Sequence, residues 1–222
     1  MNLSEMIEVE CPSCRNKESV EYFGIINVQE NPSLKDKLYD GQLNQFHCSN
    51  CGYDAFLDGS LIYQDLERNM MLQVTNAQND EDLKNELEYL NGSNEILENT
   101  FSVKMEKISF RIVSDKNSLI EKINIFDNSL DDRIIEMLKV FIYQEFLKQY
   151  NDATVEILFL GIGNEGLDFL VFVGEEKLQT TLQMEMYHEI KEKFSSSLSD
   201  FETTKGSWCF VDQNTVLELL EN

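Results

Sequence analysis

The residues with the clearest chemistry in this chain are two cysteine pairs, each with two residues between its cysteines. The pairs are Cys11 with Cys14 and Cys48 with Cys51, and they contain four of the five cysteines. A tetrahedral Zn²⁺ ion takes four thiolate ligands at about 2.3 Å, and a tight turn between two cysteines aims both sulfurs at one ion. The spacing therefore predicts one zinc ion held by all four cysteines.

The two cysteine turns differ at the position that follows each pair. Gly52 follows the second pair and accepts a left-handed backbone without steric cost, whereas Arg15 follows the first pair. Pro12 presets φ for the first turn. That turn is therefore expected either to carry strain at Arg15 or to follow a different path. Phe46 and Tyr53 are expected to pack beside the sulfurs and to exclude water.

Two other kinds of chemistry compete with a zinc site. Iron also binds four thiolates in tetrahedral geometry. A C-P-x-C dithiol also occurs in thiol oxidoreductases, but these enzymes place one such motif beside a βαβ pattern. The second cysteine pair and the lack of that pattern favour zinc. Because four cysteines close the coordination sphere, the metal is expected to be structural, and His47 is expected to be a surface residue rather than a ligand.

No other motif predicts a catalytic residue. Cys209 lies in an apolar stretch and is expected to be an inert thiol outside the metal site. Asp131 and Asp132 are expected to cap a helix, as acidic residues do at helix starts. Arg133 is expected to pair with Glu136 at the exposed surface, three residues further along the same helix.

Residues 1–76 are expected to form a zinc-ribbon-like unit around the cysteines. β-branched and aromatic residues predict strands beside both pairs, and the long insert between the pairs is predicted to contain a strand and a capped helical turn. The predicted strands cover 1–14, 20–28, 45–47, 61–63 and 70–74, and the helical turn covers 31–38.

A polar segment over 77–100 is expected to link this unit to a second one. The segment is dominated by Asn, Asp, Glu, Gly and Ser, a composition typical of an exposed connector. The alternative for part of it is a short helix over 82–90.

Residues 101–222 are expected to form an α+β domain with an antiparallel sheet and several helices. Ser118 and Glu121 have the spacing of a capping box, so Ser118 is expected to start the first helix. Glycines between two predicted strands indicate a hairpin at 161–166 rather than a dinucleotide site. The predicted strands cover 101–112, 154–162, 167–173, 177–183 and 208–211, and three later helices cover 130–149, 184–194 and 214–220. The chain as a whole is therefore predicted to be α+β.

The charge of the chain limits its partners. It has 41 Asp and Glu residues against 18 Lys and Arg residues, a formal net charge of −23. A nucleic-acid-binding protein neutralises phosphates with Lys and Arg, so direct nucleic-acid binding is not expected. High solubility is one explanation of the acidity, and a surface for a basic protein or a mimic of nucleic acid is the other.

The chain is expected to be cytoplasmic. Its first residues lack the basic and apolar regions of a signal peptide, and no apolar run approaches the roughly 20 residues that span a bilayer. Thiols stay reduced in the cytoplasm, where paired cysteines favour metal binding over disulfides.

Several segments, taken together, resemble one known family. They are Cys11-Pro12-Ser13-Cys14, Asn31-Pro32-Ser33-Leu34-Lys35-Asp36-Lys37-Leu38, Cys48-Ser49-Asn50-Cys51-Gly52, Arg111-Ile112-Val113 and Leu130-Asp131-Asp132-Arg133. They resemble the bacterial CpXC-domain proteins over roughly residues 9–140. The resemblance implies metal binding at the four cysteines in a bacterial cytoplasmic protein, and it implies no catalytic residues.

Three functions are compatible with these features. The leading hypothesis is a non-enzymatic, zinc-stabilised module whose acidic surface binds a protein partner. The second is regulation of nucleic-acid processes, by binding a basic protein or by charge mimicry. The third is an enzyme with a site between the two units, which a deep pocket lined by carboxylates or by Tyr63, His47 and Arg133 would support.

Overall fold

The computed structural model describes residues 3–57, 59–93, 105–150, 154–196, 198 and 206–220. Its helices and strands confirm the predicted α+β class. The strands are β1 (Leu3–Glu10), β2 (Lys17–Asn27), β3 (Gln45–His47), β4 (Asp54–Phe56), β5 (Leu61–Asp65), β6 (Met70–Val74), β7 (Ser109–Val113), β8 (Val155–Ile162), β9 (Leu167–Val173), β10 (Glu176–Leu182) and β11 (Trp208–Phe210). The helices are α1 (Ser33–Tyr39), α2 (Asp80–Gly92), α3 (Lys116–Asp127), α4 (Asp132–Gln149), α5 (Met184–Lys193) and α6 (Gln213–Leu220).

The largest sheet has six strands in the order β1-β2-β5-β6-β7-β11. The β1–β2 and β5–β6 pairs are antiparallel, whereas β2–β5, β6–β7 and β7–β11 are parallel. The sheet therefore joins strands from both predicted units, because β6 lies within 1–76 while β7 and β11 lie within 101–222. Independent folding of those units stays a prediction, but the sheet does not end at their boundary.

Helix α2 confirms the alternative considered for part of 77–100, a short helix over 82–90, in place of an exposed connector there. Its side chains Leu83, Leu87 and Leu90 pack against Phe110 and Trp208 on one face of the six-stranded sheet. These leucines are four and three residues apart, the spacing that places apolar side chains on one helix face. The polar residues between them concealed this face in the sequence. Residues 94–100 of the predicted linker lie outside the described residues.

The second sheet is antiparallel, in the order β10-β9-β8, as predicted for the C-terminal region. Strands β8 and β9 are joined by the predicted turn, in which the Gly163 N–H donates to the Gly166 carbonyl oxygen. Helix α3 lies between the two sheets and contacts β6 and β7 of one sheet and β8 of the other. Within the ranges described, no helix combines the length and apolar composition needed to cross a bilayer.

The start of α3 differs from the predicted capping box. Asp115 is in an extended conformation, and its carboxylate accepts the Ser118 N–H, so the helix begins at Lys116. Ser118 and Glu121 thereby become interior helix positions, and Glu121 is buried instead of reaching back to the helix start. The start of α4 is as predicted for Asp131, which caps the helix by accepting the Arg133 N–H, but not for Asp132, which is the first helix residue and binds Arg111 instead.

Candidate metal centre

Two β-hairpins position the four cysteines. Strand β1 ends immediately before Cys11 and β2 begins at Lys17, while β3 ends immediately before Cys48 and β4 begins at Asp54. Each cysteine pair therefore occupies the turn of a hairpin. We name residues 11–16 the first knuckle and residues 48–53 the second knuckle.

The two knuckles bring the four sulfurs together. All four Sγ atoms lie within 4.8 Å of one another. Across the knuckles, the Cys11 and Cys51 sulfurs are 3.7 Å apart and the Cys14 and Cys48 sulfurs are 3.6 Å apart. Metal–sulfur bonds of about 2.3 Å place the sulfurs of a tetrahedron about 3.8 Å apart. The four cysteines therefore fit one tetrahedral metal ion, as the sequence predicted.

The backbone follows the same path in both knuckles. The Arg15 N–H donates to the Cys11 carbonyl oxygen, and the Gly52 N–H donates to the Cys48 carbonyl oxygen, both at 2.8 Å. Arg15 has a φ of 61° and Gly52 a φ of 71°. Of the two outcomes expected for Arg15, the structure therefore shows the same turn with a left-handed, non-glycine residue, a conformation that costs about 1–2 kcal/mol.

Glu18 links the two knuckles beside the sulfurs. Its Oε1 accepts the Ser49 N–H at 2.8 Å, the Ser49 hydroxyl at 2.9 Å and the Asn16 side-chain amide at 2.9 Å. These hydrogen bonds, first from the Ser49 hydroxyl and N–H, lower the pKa of Glu18. A carboxylate that accepts donors from both turns holds one knuckle against the other.

The environments of the four thiols differ. Hydrogen bonds from the Asn50 side chain and the Asn16 N–H lower the pKa of Cys14 to about 6, whereas burial raises the pKa of Cys48 to about 12. Cys11 and Cys48 are fully buried, and Cys51 is exposed. A bound cation would favour the thiolate form of every ligand, so the buried thiols are the ones that gain most from a metal.

Few buried apolar side chains surround the sulfurs in the described structure. Cys11, Phe46 and Cys48 form the buried part of this cluster, so the predicted position of Phe46 is confirmed. Tyr53 is 39 % exposed, so the expectation that it shields the sulfurs from water is wrong. It is the last residue of the second knuckle, directly before β4. The metal would therefore supply much of the cohesion that a larger core supplies elsewhere.

The other residues considered from the sequence lie away from the sulfurs. The His47 Nδ1 atom is 2.7 Å from an Asp54 oxygen at the exposed surface, so His47 is the surface residue that we expected. Cys209 lies on β11, where its sulfur accepts a 3.1 Å hydrogen bond from Arg111. Within the described ranges, only the four paired cysteines form a cluster that could hold a metal ion.

The expected surface pair between Arg133 and Glu136 does not form. The Arg133 side chain is mostly buried and binds the Asp131 carboxylate and the Leu198 carbonyl oxygen. Asp132 is 1 % exposed and binds Arg111. Tyr63, His47 and Arg133, named as residues of a hypothetical enzyme site, occupy the sheet core, a hairpin and the start of α4.

Comparison with known protein families gives a match that covers both knuckles. A family model described as CpXC protein matches residues 9–139, a range that contains both knuckles and extends into α4. No curated protein and no solved structure matches the chain.

Proposed function

The chain belongs to the CpXC protein family, and from this premise we propose that its four paired cysteines hold one structural Zn²⁺ ion in a cytoplasmic protein whose acidic surface binds a basic protein partner. The observation that carries the metal part is the cluster of four sulfurs, with distances of 3.6 and 3.7 Å across the knuckles. Four thiolates fill a tetrahedral coordination sphere and leave no position for water or substrate. A structural role follows from that closed sphere.

The metal content of purified protein tests this part of the proposal. We expect one equivalent of zinc in the wild type and loss of most of it in Cys14→Ser and Cys51→Ser. Cys209→Ala is the matched control and should keep the full equivalent. Zn²⁺ has a filled d shell and no colour, so visible absorption together with iron in the metal analysis would favour the iron alternative. Unchanged metal in both serine variants would refute the site.

The acidity of the chain supports the partner part of the proposal. The net charge is −23, and four thiolates with one Zn²⁺ contribute a further −2. Exposed carboxylates line the outer surface of α2, at Asp80, Glu81, Asp82 and Glu88. Such a surface repels phosphates and attracts Lys-rich or Arg-rich proteins, and its attraction weakens as salt screens it.

Affinity capture from the native cell at low and high salt tests the partner. We expect a basic protein that is retained at about 0.05 M salt and released at about 0.5 M, because the Debye length shrinks with ionic strength. Retention of a DNA- or RNA-binding protein that nucleic acid displaces would favour charge mimicry. Capture that is equally strong at both salt concentrations would refute a charge-driven interface.

An enzyme is a second candidate, and one cavity favours it. The cavity has a volume of about 310 Å³ and is lined by five carboxylates and two lysines, Asp115, Glu121, Glu136, Glu156, Asp212, Lys122 and Lys139. Ionisable groups that share a cleft are the usual material of acid–base catalysis. Turnover of a small charged substrate, lost when the lining carboxylates are neutralised, would support this candidate.

A further inference from the structure

Six buried charged side chains form a continuous chain between the two sheets. We name them the ionic cluster. Their charges alternate in sign along the cluster, and three cations balance three anions. In order, the members are Arg111, Asp132, Lys122, Glu136, Lys139 and Glu121.

The contacts within the ionic cluster are close. Arg111 binds both oxygens of Asp132, at 2.8 and 3.1 Å. Lys122 lies between Asp132 at 3.3 Å and Glu136 at 2.8 Å. The remaining contacts join Lys139 to Glu136 at 3.2 Å and to Glu121 at 2.7 Å. Glu121 also accepts the Phe159 N–H of β8, so the cluster connects both sheets with α3 and α4.

Burial makes this arrangement expensive as a purely structural device. No side chain of the cluster is more than 10 % exposed. Removing an ion from water costs several kcal/mol, and apolar residues of similar volume often stabilise a core as well or better. Charged groups retained in such a position are therefore candidates for a binding role.

Four of the six members line the 310 Å³ cavity. Lys122, Lys139, Glu121 and Glu136 are buried and form its floor, and the more exposed residues Asp115, Glu156 and Asp212 form its rim. The cavity lies where β7 and β11 end, since residues 112–114 and 210–214 border it. Crevices at the carboxyl ends of parallel strands are the common ligand sites of open sheets.

The floor has a hydrogen-bond donor that the cluster does not use. Each lysine ammonium has three N–H donors. Among the residues described, Lys122 contacts one oxygen of Asp132 and one of Glu136, whereas Lys139 contacts both oxygens of Glu121 and both of Glu136. One N–H of Lys122 is therefore left for a ligand that enters the cavity, and the donors of Lys139 are taken up by the cluster.

The charges of the floor and rim restrict what could bind. A simple anion would have to pass three rim carboxylates on a chain with a net charge of −23. The floor is neutral as a set, with two lysines and two glutamates, so a metal cation or simple amine would match the rim but would leave the unused N–H of Lys122 without an acceptor. A molecule with a charge of each sign satisfies both, because its carboxylate accepts from Lys122 while its ammonium group meets the rim carboxylates.

We propose that this cavity binds a small zwitterion, an α-amino acid, with the carboxylate on the floor and the ammonium group at the rim. A cavity of 310 Å³ is at the small end of the range of about 300–1,000 Å³ for ligand pockets, which suits a molecule of this size. The site is independent of the cysteines and of the proposed protein partner.

Calorimetric titration of the full-length protein with each of the common α-amino acids tests this proposal. We expect at least one amino acid to bind. The matching amine, which lacks the carboxylate, and the matching carboxylic acid, which lacks the ammonium group, should each bind about tenfold more weakly or worse. The reason is that a charged hydrogen bond contributes about 1.5–3 kcal/mol. No binding by any amino acid, or equal binding by the amine, would overturn the proposal.

Rim variants show whether binding occurs in this cavity. Glu156→Gln and Asp212→Asn remove rim charge, and Asn keeps the cap that Asp212 gives α6. Each should weaken binding about tenfold without changing the melting temperature of the free protein. Glu165→Gln, in the exposed β8–β9 turn, is the control and should bind normally. Normal binding in both rim variants would overturn the assignment.

Discussion

The four-cysteine site and the ionic cluster are both polar groups placed in or near the interior, but they differ in charge balance. Four thiolates carry four negative charges, and the buried and partly buried hydrophobic residues packed around them supply no charge to balance these. The ionic cluster has three charges of each sign and sums to zero. The first arrangement needs a cation from outside the chain, whereas the second is neutral without one.

The two regions also differ in how the chain assembles them. Each cysteine turn is local, since a hairpin brings together residues three apart in sequence. The long-range packing of one knuckle against the other completes the site. The ionic cluster draws on β7, α3 and α4, and it forms only after those elements pack. A four-cysteine site can therefore be recognised from short sequence motifs, whereas the ionic cluster can be recognised only once the tertiary structure is known.

Metal removal should produce the largest effect and should be confined to one region. The cluster around the sulfurs has only three buried residues, two of which are ligands, whereas metal binding in small zinc domains contributes about 10–16 kcal/mol. With a strong chelator, we expect the amide protons of 9–16 and 45–56 to lose protection from hydrogen exchange. The amide protons of β8 and β9 should keep it.

Trp208 is the control for this experiment. It is the only tryptophan and lies on β11, at the opposite edge of the six-stranded sheet from β1. Its fluorescence should be unchanged by the chelator. A fluorescence change together with loss of protection in β8 and β9 would contradict the separation of the two regions.

Breaking one ion pair of the cluster should have the next largest effect. Asp132→Asn leaves the Arg111 guanidinium buried without its carboxylate, which should lower the free energy of unfolding by about 3–5 kcal/mol in urea titrations. The double variant Arg111→Met with Asp132→Asn removes both charges and keeps Lys122 paired with Glu136. It should be more stable than Asp132→Asn alone. Additive losses in the double variant would show that the two charges do not act as a pair.

The sequence predicted the metal site because its signals are local. The spacing of Cys11, Cys14, Cys48 and Cys51 was sufficient to predict the four ligands, and Gly52 predicted the second turn, whereas Arg15 left two paths open for the first turn. Most strands and helices were also predictable, since period-two and helical alternation reflect which face is buried. The parallel pairings of β6, β7 and β11 were not, because no local pattern specifies which strands become neighbours.

The ionic cluster was missed for a different reason. Charged residues on helices are usually exposed, so Glu136 was expected to pair with Arg133 at the surface. Helix α4 nevertheless has buried apolar residues on all sides, among them Ile134, Ile135, Met137, Leu138 and Val140. A helix that is apolar all round is buried, and this was the available signal that its charged residues are buried as well.

Acidification should destabilise the cluster through Asp132. Burial alone would raise the pKa of Asp132, but Arg111 and Lys122 outweigh it and hold that pKa well below its usual range. A lowered folded-state pKa gives stability that is present above the unfolded pKa of about 3.9 and is lost as the pH falls toward the folded value. We therefore expect the free energy of unfolding to decline below about pH 4.

Acid also releases the metal, but it does so in the wild type and in the Arg111→Met, Asp132→Asn double variant alike, so comparing the two isolates the contribution of Asp132. Burial raises the pKa of Glu121 despite Lys139, so the stability that Glu121 contributes is lost as the pH rises. Glu121 is present in both proteins, and its contribution cancels in the comparison. We expect the urea-derived free energy to fall less steeply below about pH 4 in the double variant than in the wild type. Equal slopes would exclude Asp132 as the source of the acid sensitivity.

The smallest predicted effect concerns the one difference between the two knuckles. Arg15 and Gly52 have nearly the same φ, 61° and 71°, and each donates to the carbonyl oxygen of the first cysteine in its pair. Arg15→Gly should stabilise the metal-bound protein by up to about 1 kcal/mol, because glycine removes the left-handed penalty but loses more chain entropy on folding.

Gly52→Ala is the reciprocal change. A Cβ at this position would meet no atom within 4 Å, so the cost of about 1 kcal/mol comes from the backbone conformation alone. Chelator competition should rank zinc affinity as Arg15→Gly, then wild type, then Gly52→Ala. A reversed order would mean that the Arg15 side chain stabilises the first knuckle by more than its backbone conformation costs.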